Sequence, residues 1–231
     1  MLKNPFKNLT RHEWILWGIS MLVVAISNIM AGEISPATLC GTLIGVTALI
    51  FIARGDVWGQ ILTVVFSFLY SVTSFEFKYY GEMITYLGMT MPIAALSVIS
   101  WLRHPFKKGE NEVKIHKLTR KQIILMIVLT ITVTAIFYFI LKLFDTANLI
   151  ISTVSITTSF LASYLMLYRN SYYALAYAAN DIVLIILWIL ASIESFSYFP
   201  MVICFLMFLI NDLYGFVSWK IREKKQAQEL A

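Results

Sequence analysis

Eight long apolar runs, separated by short polar or charged breaks, dominate the pattern of the chain. Each run is 17 to 23 residues long. A helix of about 20 apolar residues crosses the hydrocarbon core of a bilayer, so each run predicts one membrane-spanning helix. The predicted spans are residues 13–31, 37–53, 58–76, 82–102, 122–144, 148–168, 172–193 and 199–219. The pattern therefore predicts an all-α integral membrane protein with eight transmembrane helices.

The predicted spans make up a single membrane domain, residues 1–231, with little sequence left for a soluble part. The first run follows three basic residues, as a signal peptide does, but no small-x-small cleavage pattern follows it. We therefore expect this run to be retained as the first helix. The expected parts are an extra helix (13–31), a first three-helix unit (37–103), a linker (103–121), a connecting helix (122–144), a second three-helix unit (148–222) and a tail (223–231).

The two three-helix units end in the same way. Ser100-Trp101 closes the first unit and Ser218-Trp219 closes the second, and a basic residue follows each tryptophan within two positions. The closing tryptophan lies 47 residues after an arginine in the first unit and 50 residues after one in the second. Endings of this kind are common at cytoplasmic interfaces. The prediction of a repeat therefore depends on the matched arginine starts, the matched spacing and the matched polarity of the two units together. Because one connecting helix separates the units, they share one orientation, which predicts parallel repeats in a 1+3+1+3 arrangement.

Lysine and arginine are distributed unevenly between the two predicted faces of the membrane. With eight alternating spans, 16 of the 18 basic residues lie on the side of the termini and the linker, and only Lys78 and Lys142 lie on the other side, together with acids such as Glu33 and Glu82. The positive-inside rule then predicts that both termini are cytoplasmic. The basic residues flank helix ends, where anionic headgroups lie, so we expect the lipid bilayer as partner and no nucleic acid.

The composition excludes several classes of function. Apolar residues make up 59% of the chain and charged residues 13%, whereas soluble domains have roughly 45–50% and 25%. The two cysteines lie inside apolar runs and the three histidines lie in the predicted cytoplasmic flanks, so no metal site, catalytic group or cofactor is predicted. The sequence has no phosphate-binding loop, serine hydrolase motif or zinc protease motif, and we do not expect an enzyme.

The seventh span carries the densest set of polar and aromatic side chains. Helical spacings, mostly of three and four, relate Tyr173, Tyr177, Asn180, Asp181, Leu184 and Trp188, so several of them share a face. Aromatic rings stack on a flat heteroaromatic ligand, while an amide and a carboxylate meet its edge. An ionised carboxylate also favours a cationic ring. Because a buried acid is costly near lipid, this face predicts a substrate site.

Other polar side chains within the spans are further candidates. Pro92 lacks an N–H and is expected to bend the fourth span near the middle of the membrane. The remaining candidates for substrate binding are Gln60 and Tyr70 in the third span, Tyr86 and Thr90 in the fourth, and Asn211 and Asp212 in the eighth. Two interpretations stay open for three of these. Asn211 and Asp212 bind substrate or hydrogen-bond between helices, and Gln60 binds substrate or faces headgroups.

Short motifs in both halves point to a known family. The most specific are Trp58-Gly59-Gln60, Phe68-Leu69-Tyr70, Tyr80-Gly81-Glu82, Pro92, Trp101 and Trp219. On these residues the chain resembles the PnuC-type bacterial vitamin transporters. The resemblance implies a 3+1+3 core similar to the sugar-transporting SWEET proteins, a homotrimer, and uptake of nicotinamide riboside across the bacterial plasma membrane by facilitated diffusion. It also implies dependence on a cytoplasmic nucleoside kinase that traps the product by phosphorylation.

The chain departs from the pattern of the nicotinamide riboside branch at two places. That branch has Trp-x-x-Trp on the seventh span, where this chain has Ala174, or Tyr173 if the register slips by one, and then Tyr177. The glutamine that follows the proline of the fourth span in the family falls on Ala94. Other branches carry thiamine, riboflavin or, by proposal, deoxyribonucleosides, so the departures bear on the substrate and leave the transporter class unchanged.

Three classes of function are compatible with these residues. The first is a facilitator for a nucleoside-like molecule, with nicotinamide riboside first and a deoxyribonucleoside as a close second. The second is a non-transporting membrane sensor or assembly partner that docks through the basic linker. The third is an ion-coupled carrier in which Asp181 and Asp212 are proton sites.

Overall fold

The structure is a computed structural model that describes residues 3–32, 35–77, 79–146 and 148–229. Within these ranges, eight helices are long and apolar enough to cross a membrane. They are α1 (Arg11–Met30), α2 (Pro36–Ala53), α3 (Val57–Glu76), α4 (Tyr80–Arg103), α5 (Arg120–Leu143), α6 (Leu149–Leu167), α7 (Tyr173–Glu194) and α8 (Phe199–Glu229). The all-α membrane fold is confirmed. Glu33 and Lys78, which entered the charge count, lie outside the described residues.

Local side-chain caps explain where several helices begin. Thr10 and Thr119 each form a capping box, with Glu13 in α1 and Gln122 in α5. Asp56 accepts a hydrogen bond from the backbone N–H of Trp58 at the start of α3. The helices begin and end within two residues of the predicted spans, except at the end of α8.

The chain from residue 223 onward is helical as far as Glu229, where the sequence alone predicted a separate tail. Side-chain contacts with the linker hold this extension of α8. Arg222 forms an ion pair of 2.6 Å with Glu112. The side chain of Gln226 accepts from the backbone N–H of Ile115 at 2.9 Å and donates to the carbonyl of Val113 at 3.1 Å.

Helix α4 is interrupted by a π-helical turn over Tyr86–Thr90. Pro92 follows two residues later, and it has no N–H to donate to the carbonyl of Gly88, four residues before it. The wider turn accommodates this lost hydrogen bond. The irregularity expected near the proline is thus a π-helical turn, and the side chains of Tyr86 and Thr90 are buried in the bundle.

The two three-helix units, α2 to α4 and α6 to α8, pack through equivalent helices. The first helix of each unit contacts the third helix of the other, α2 with α8 and α6 with α4. Helix α1 packs on α2 and α8, whereas α5 packs chiefly on α6 and has little of its surface buried. This pairing leaves the space between the units surrounded by six helices, and the repeat itself stays a prediction.

The Ser-Trp ending of each unit hydrogen-bonds to the end of the first helix of the other unit. Ser218 Oγ donates to the carbonyl of Ala53 at 2.7 Å, and Trp219 Nε1 donates to the carbonyl of Ile52 at 2.8 Å. In the other unit, Ser100 and Trp101 donate in the same way to the carbonyls of Leu167 and Met166, at 3.1 and 3.2 Å. The two indole rings lie 5.7 Å apart. We call these four residues, Ser100, Trp101, Ser218 and Trp219, the Ser-Trp junction.

The junction lies at the end of the bundle that also carries the linker, here called the linker end. Both described terminal segments lie there as well. The backbone N–H of Lys3 donates to Asn111 at 3.0 Å, and Glu229 forms an ion pair of 2.7 Å with Lys107. An even number of membrane crossings returns a chain to the side on which it started. The placement of both described terminal segments at the linker end therefore agrees with eight crossings.

Candidate functional site

A cavity of about 50 Å³ lies between the two three-helix units. Six helices contribute to it, α2, α3, α4, α6, α7 and α8. The polar side chains in its wall are Gln60, Thr63, Tyr86, Thr90, Tyr177, Asn180, Asp181 and Asp212. This space holds a few water molecules, whereas sites for small organic ligands occupy roughly 300–1,000 Å³. The cavity is therefore too small for a ligand of nucleoside size, and binding one requires the surrounding helices to move apart.

Seven of the eleven residues predicted from the sequence border this cavity. They are Gln60, Tyr86, Thr90, Tyr177, Asn180, Asp181 and Asp212. Gln60 is 2% exposed, which excludes the interpretation that it faces headgroups. Their convergence on one cavity is a property of the fold, and their role in substrate binding stays a prediction.

Helix α7 places three polar groups on the cavity wall because their spacing matches the helical repeat. Tyr177 and Asp181 are one turn apart, and Asn180 lies beside them. The hydroxyls of Tyr177 and Ser163 lie 3.0 Å apart. Asn180 Oδ1 accepts a hydrogen bond of 2.8 Å from Thr158, so both contacts to α6 fix the orientation of these side chains.

Several polar atoms of the wall have no hydrogen-bond partner among the described residues. They are Gln60 Nε2, Thr90 Oγ1 and Asp181 Oδ2. Leaving a buried polar atom without a partner costs about 1–3 kcal/mol, and native proteins have few such atoms. Three of them around one cavity are typical of a place where water or a polar ligand completes the hydrogen bonds.

Asp181 of α7 and Asp212 of α8 are the two acids in the wall. They share the cavity because α7 and α8 pack against each other. Both side chains are buried, with 2% and 3% of their surface exposed. Asp212 thus lies in the cavity wall, and both interpretations of its role stay open.

Two other predicted residues, Tyr70 and Trp188, lie next to the cavity on the side away from the linker. Trp188 Nε1 donates to the hydroxyl of Tyr70 at 3.0 Å, and the Tyr70 ring lies 4.2 Å from the ring of Tyr86. Trp188 also packs on Tyr79 and Tyr198, at 4.9 and 6.3 Å between ring centroids. We call Tyr70, Tyr79, Trp188 and Tyr198 the aromatic cover, because these rings separate the cavity from the end opposite the linker.

The last two predicted residues do not border the cavity. Tyr173 packs on Trp219 of the Ser-Trp junction, with ring centroids 4.7 Å apart. Asn211 faces α1, where its Nδ2 donates to Ser20 Oγ at 3.0 Å. The contacts of Asn211 therefore support the interpretation of a hydrogen bond between helices.

Two buried acids were not among the predicted site residues. Glu82, counted among the charges at the opposite end, is 1% exposed. Glu13 at the start of α1 is also 1% exposed and forms an ion pair of 2.7 Å with Arg54. For Glu82, the available signals were the Tyr80-Gly81-Glu82 motif and its place one helical turn before Tyr86.

Charged groups at the linker end are partly buried and have polar partners. Burial raises the pKa of the Asp56 carboxyl above its ordinary value, while hydrogen bonds from Trp58 and from Asn111, at 3.0 and 3.1 Å, act in the opposite direction. Burial lowers the pKa of the Arg169 guanidinium, which donates to Ser100 Oγ at 2.8 Å. These contacts fasten the linker and the turns between helices over the Ser-Trp junction.

Comparison with known proteins identifies the family. Residues 35–221 match the family model described as nicotinamide mononucleotide transporter. The chain belongs to the nicotinamide mononucleotide transporter family. This family is one of membrane transporters and not of enzymes, and the resemblance drawn from the sequence motifs is confirmed. The matched region contains α2 to α7 and most of α8, while α1 lies before it.

Two individual proteins illustrate the relationship. The chain is 26% identical over 180 residues to the nicotinamide riboside transporter PnuC of Neisseria mucosa, a match that covers 76% of this chain and 68% of the relative. Its fold is similar to the crystal structure of the vitamin B3 transporter PnuC, with a TM-score of 0.82 and 22% identity over 95% of this chain and 94% of the other. At that identity the structural match establishes the fold of this family member.

Proposed function

We propose that this protein transports nicotinamide riboside across the bacterial plasma membrane by facilitated diffusion, with both termini in the cytoplasm. The observation that carries the proposal is the cavity between the two units, whose wall contains Tyr177, Asn180, Asp181 and the unpartnered Nε2 of Gln60. The Neisseria mucosa relative is a nicotinamide riboside transporter, which supports the substrate. The excess of basic residues at the linker end supports the orientation.

Contacts on either side of the cavity supply the parts that alternating access requires. In this proposal the Ser-Trp junction is the gate at the linker end, and the aromatic cover is the gate at the opposite end. Rocking one unit against the other opens one end while the other stays closed. In the bound state, the rings of Tyr86 and Tyr177 contact the faces of the substrate, and Gln60 and Asn180 meet its polar edge.

The direction of net uptake comes from outside the protein. Facilitated diffusion only equilibrates its substrate, so accumulation depends on a cytoplasmic nucleoside kinase that converts the substrate into a charged phosphate ester. We also propose a homotrimer, in line with the PnuC-type transporters that the sequence resembles. The weakly buried α5 and the lipid-facing side of α1 leave apolar surface that such an assembly, or lipid, covers.

A deoxyribonucleoside is the second candidate substrate. The observation that favours it is the loss of large and polar side chains at two positions, Ala94 on α4 and Ala174 on α7, relative to the nicotinamide riboside branch. Two further candidate functions are a non-transporting sensor and a proton-coupled carrier. The carrier is motivated by the two buried acids, Asp181 and Asp212.

Liposomes that contain only this protein test the proposed function. We expect labelled nicotinamide riboside to equilibrate across the membrane without accumulating, and we expect no effect of collapsing a proton gradient. Failure to equilibrate any nucleoside would support the sensor. Accumulation that disappears with the gradient would support the carrier, and equilibration of thymidine alone would support the deoxyribonucleoside.

Weakening the Ser-Trp junction is expected to open the linker end more often. The double variant Ser218→Ala, Trp219→Phe removes two hydrogen bonds to the end of α2 and keeps an aromatic ring. At about 1 kcal/mol for each bond, the open state gains about tenfold or more in population. Alkylation of Thr63→Cys, in a background without Cys40 and Cys204, measures this opening by a reagent supplied from the linker side.

Trp58→Phe is the matched control for this experiment. It removes an indole donor at the same end, but Trp58 Nε1 bonds to the backbone of Lys3 at 3.1 Å and not to the opposite unit. We expect its alkylation rate to equal that of the parent. Equal rates in the junction variant and in the control would show that the junction does not hold the linker end closed.

A further inference from the structure

Two acids from neighbouring helices border the cavity. Asp181 of α7 and Asp212 of α8 both lie in its wall, and they are 2% and 3% exposed. A buried carboxyl group is costly to ionise unless a positive charge lies beside it. The two acids therefore gain most from a partner that carries a positive charge.

No fixed cation lies beside these acids in the cavity. Among the described residues of the wall there is no Lys, Arg or His. The other titratable side chains of the wall are Tyr86 and Tyr177, and phenols are neutral at ordinary pH. Glu82, one helical turn before Tyr86, is a further buried acid. A buried charge without a counter-charge is costly, so the wall favours a partner that brings a positive charge with it.

A second observation from another helix points to a ligand in the same place. Gln60 reaches the cavity from α3, is 2% exposed, and its Nε2 has no hydrogen-bond partner among the described residues. On the opposite wall, Asp181 Oδ2 also lacks a partner. The cavity thus offers a free amide donor on one side and a free carboxyl oxygen on the other, with tyrosine rings between them.

We propose that the Asp181–Asp212 pair is the specificity determinant that selects a substrate with one positive charge over a neutral nucleoside of the same shape. The pyridinium ring of nicotinamide riboside carries such a charge, and it is flat enough to lie against Tyr86 and Tyr177. A cation near aromatic faces gains further from their negative face. This inference rests on the proposed function and adds to it the property by which the substrate is recognised, which a neutral deoxyribonucleoside lacks.

The test compares nicotinamide riboside with its reduced dihydro form, which has nearly the same shape and no charge. Binding to the purified full-length protein is measured by calorimetry. We expect the oxidised, cationic form to bind at least about tenfold more tightly, which corresponds to about 1.4 kcal/mol. In the double variant Asp181→Asn, Asp212→Asn the ratio is expected to fall to about one, while the reduced form still binds.

Glu82→Gln is the matched control, because it neutralises a buried acid that does not border the cavity. Its ratio between the two forms should equal that of the parent. Equal binding of the two forms by the parent protein would overturn charge selection and leave the proposed transport intact. Binding of a deoxyribonucleoside with neither form bound would overturn the proposed function itself. The parent ratio decides between these outcomes even where the double variant does not fold.

Discussion

Replacing Gly59 by valine is expected to remove most of the folded protein from the membrane. A Cβ atom at position 59 would lie 2.6 Å from the backbone nitrogen of Ile52 and 2.9 Å from the carbonyl oxygen of Ala48. Both atoms belong to the backbone of α2, so no side-chain rotation relieves the clash. Overpacking of a core costs typically 1–3 kcal/mol, and here two helix backbones must separate, so we expect a loss of at least about 3 kcal/mol.

The folded fraction is measured as the monodisperse peak in detergent, together with its melting temperature. Gly18→Val is the matched control, because nothing lies within 4 Å of a Cβ atom there and α1 faces lipid at this point. We expect the control to behave like the parent. If Gly59→Val gave the same yield and melting temperature as the control, the close approach of α2 and α3 would be wrong, and with it the shape of the cavity.

Removing either of two side chains on α7 is expected to reduce uptake at least about tenfold without reducing membrane insertion. Tyr177→Ala deletes a ring in the cavity wall, and Asp181→Ala deletes the carboxyl that carries half of the acid pair. One lost contact to a charged group costs about 1.5–3 kcal/mol, which is a tenfold effect or more on binding. Initial rates of nicotinamide riboside uptake, normalised to the amount of inserted protein, measure the effect.

Ile182→Ala serves as the control on the same helix. Ile182 follows Asp181 directly, but it is 50% exposed on the outer face of α7. Its uptake is therefore expected to equal that of the parent. Unchanged uptake in both the tyrosine and the aspartate variant would show that the cavity takes no part in transport.

Most of the fold could be predicted from the sequence because bilayer thickness fixes the length of each apolar run. The bounds of α1 to α7 follow from this length and from caps such as Thr10 and Thr119. The extension of α8 could not be predicted in this way, since it depends on tertiary contacts from Arg222 and Gln226 to the linker. Nothing in the local pattern of residues 223–229 distinguishes a helix held by partners from a free tail.

The polar part of the candidate site could also be predicted, because polar residues are rare in apolar spans and each one requires a reason. The apolar part could not. Phe66, Phe208 and Met166 border the cavity, but in a helix that is apolar all round a residue facing a cavity looks like one facing lipid. The sequence marked Asn211 as a candidate for substrate binding but did not reveal its hydrogen-bond partner. That partner, Ser20, belongs to α1, and only the packing of α1 brings the two side chains together.

Calorimetry on the purified protein tests the proposed substrate most directly. The ligands are nicotinamide riboside, thymidine and deoxyadenosine, with thiamine and riboflavin as controls. We predict saturable binding of nicotinamide riboside that is lost in Tyr177→Ala, and no binding of the other compounds. Selective binding of a deoxyribonucleoside would contradict the proposed function, and it would mean that Ala94 and Ala174 changed the substrate while the transporter fold was retained.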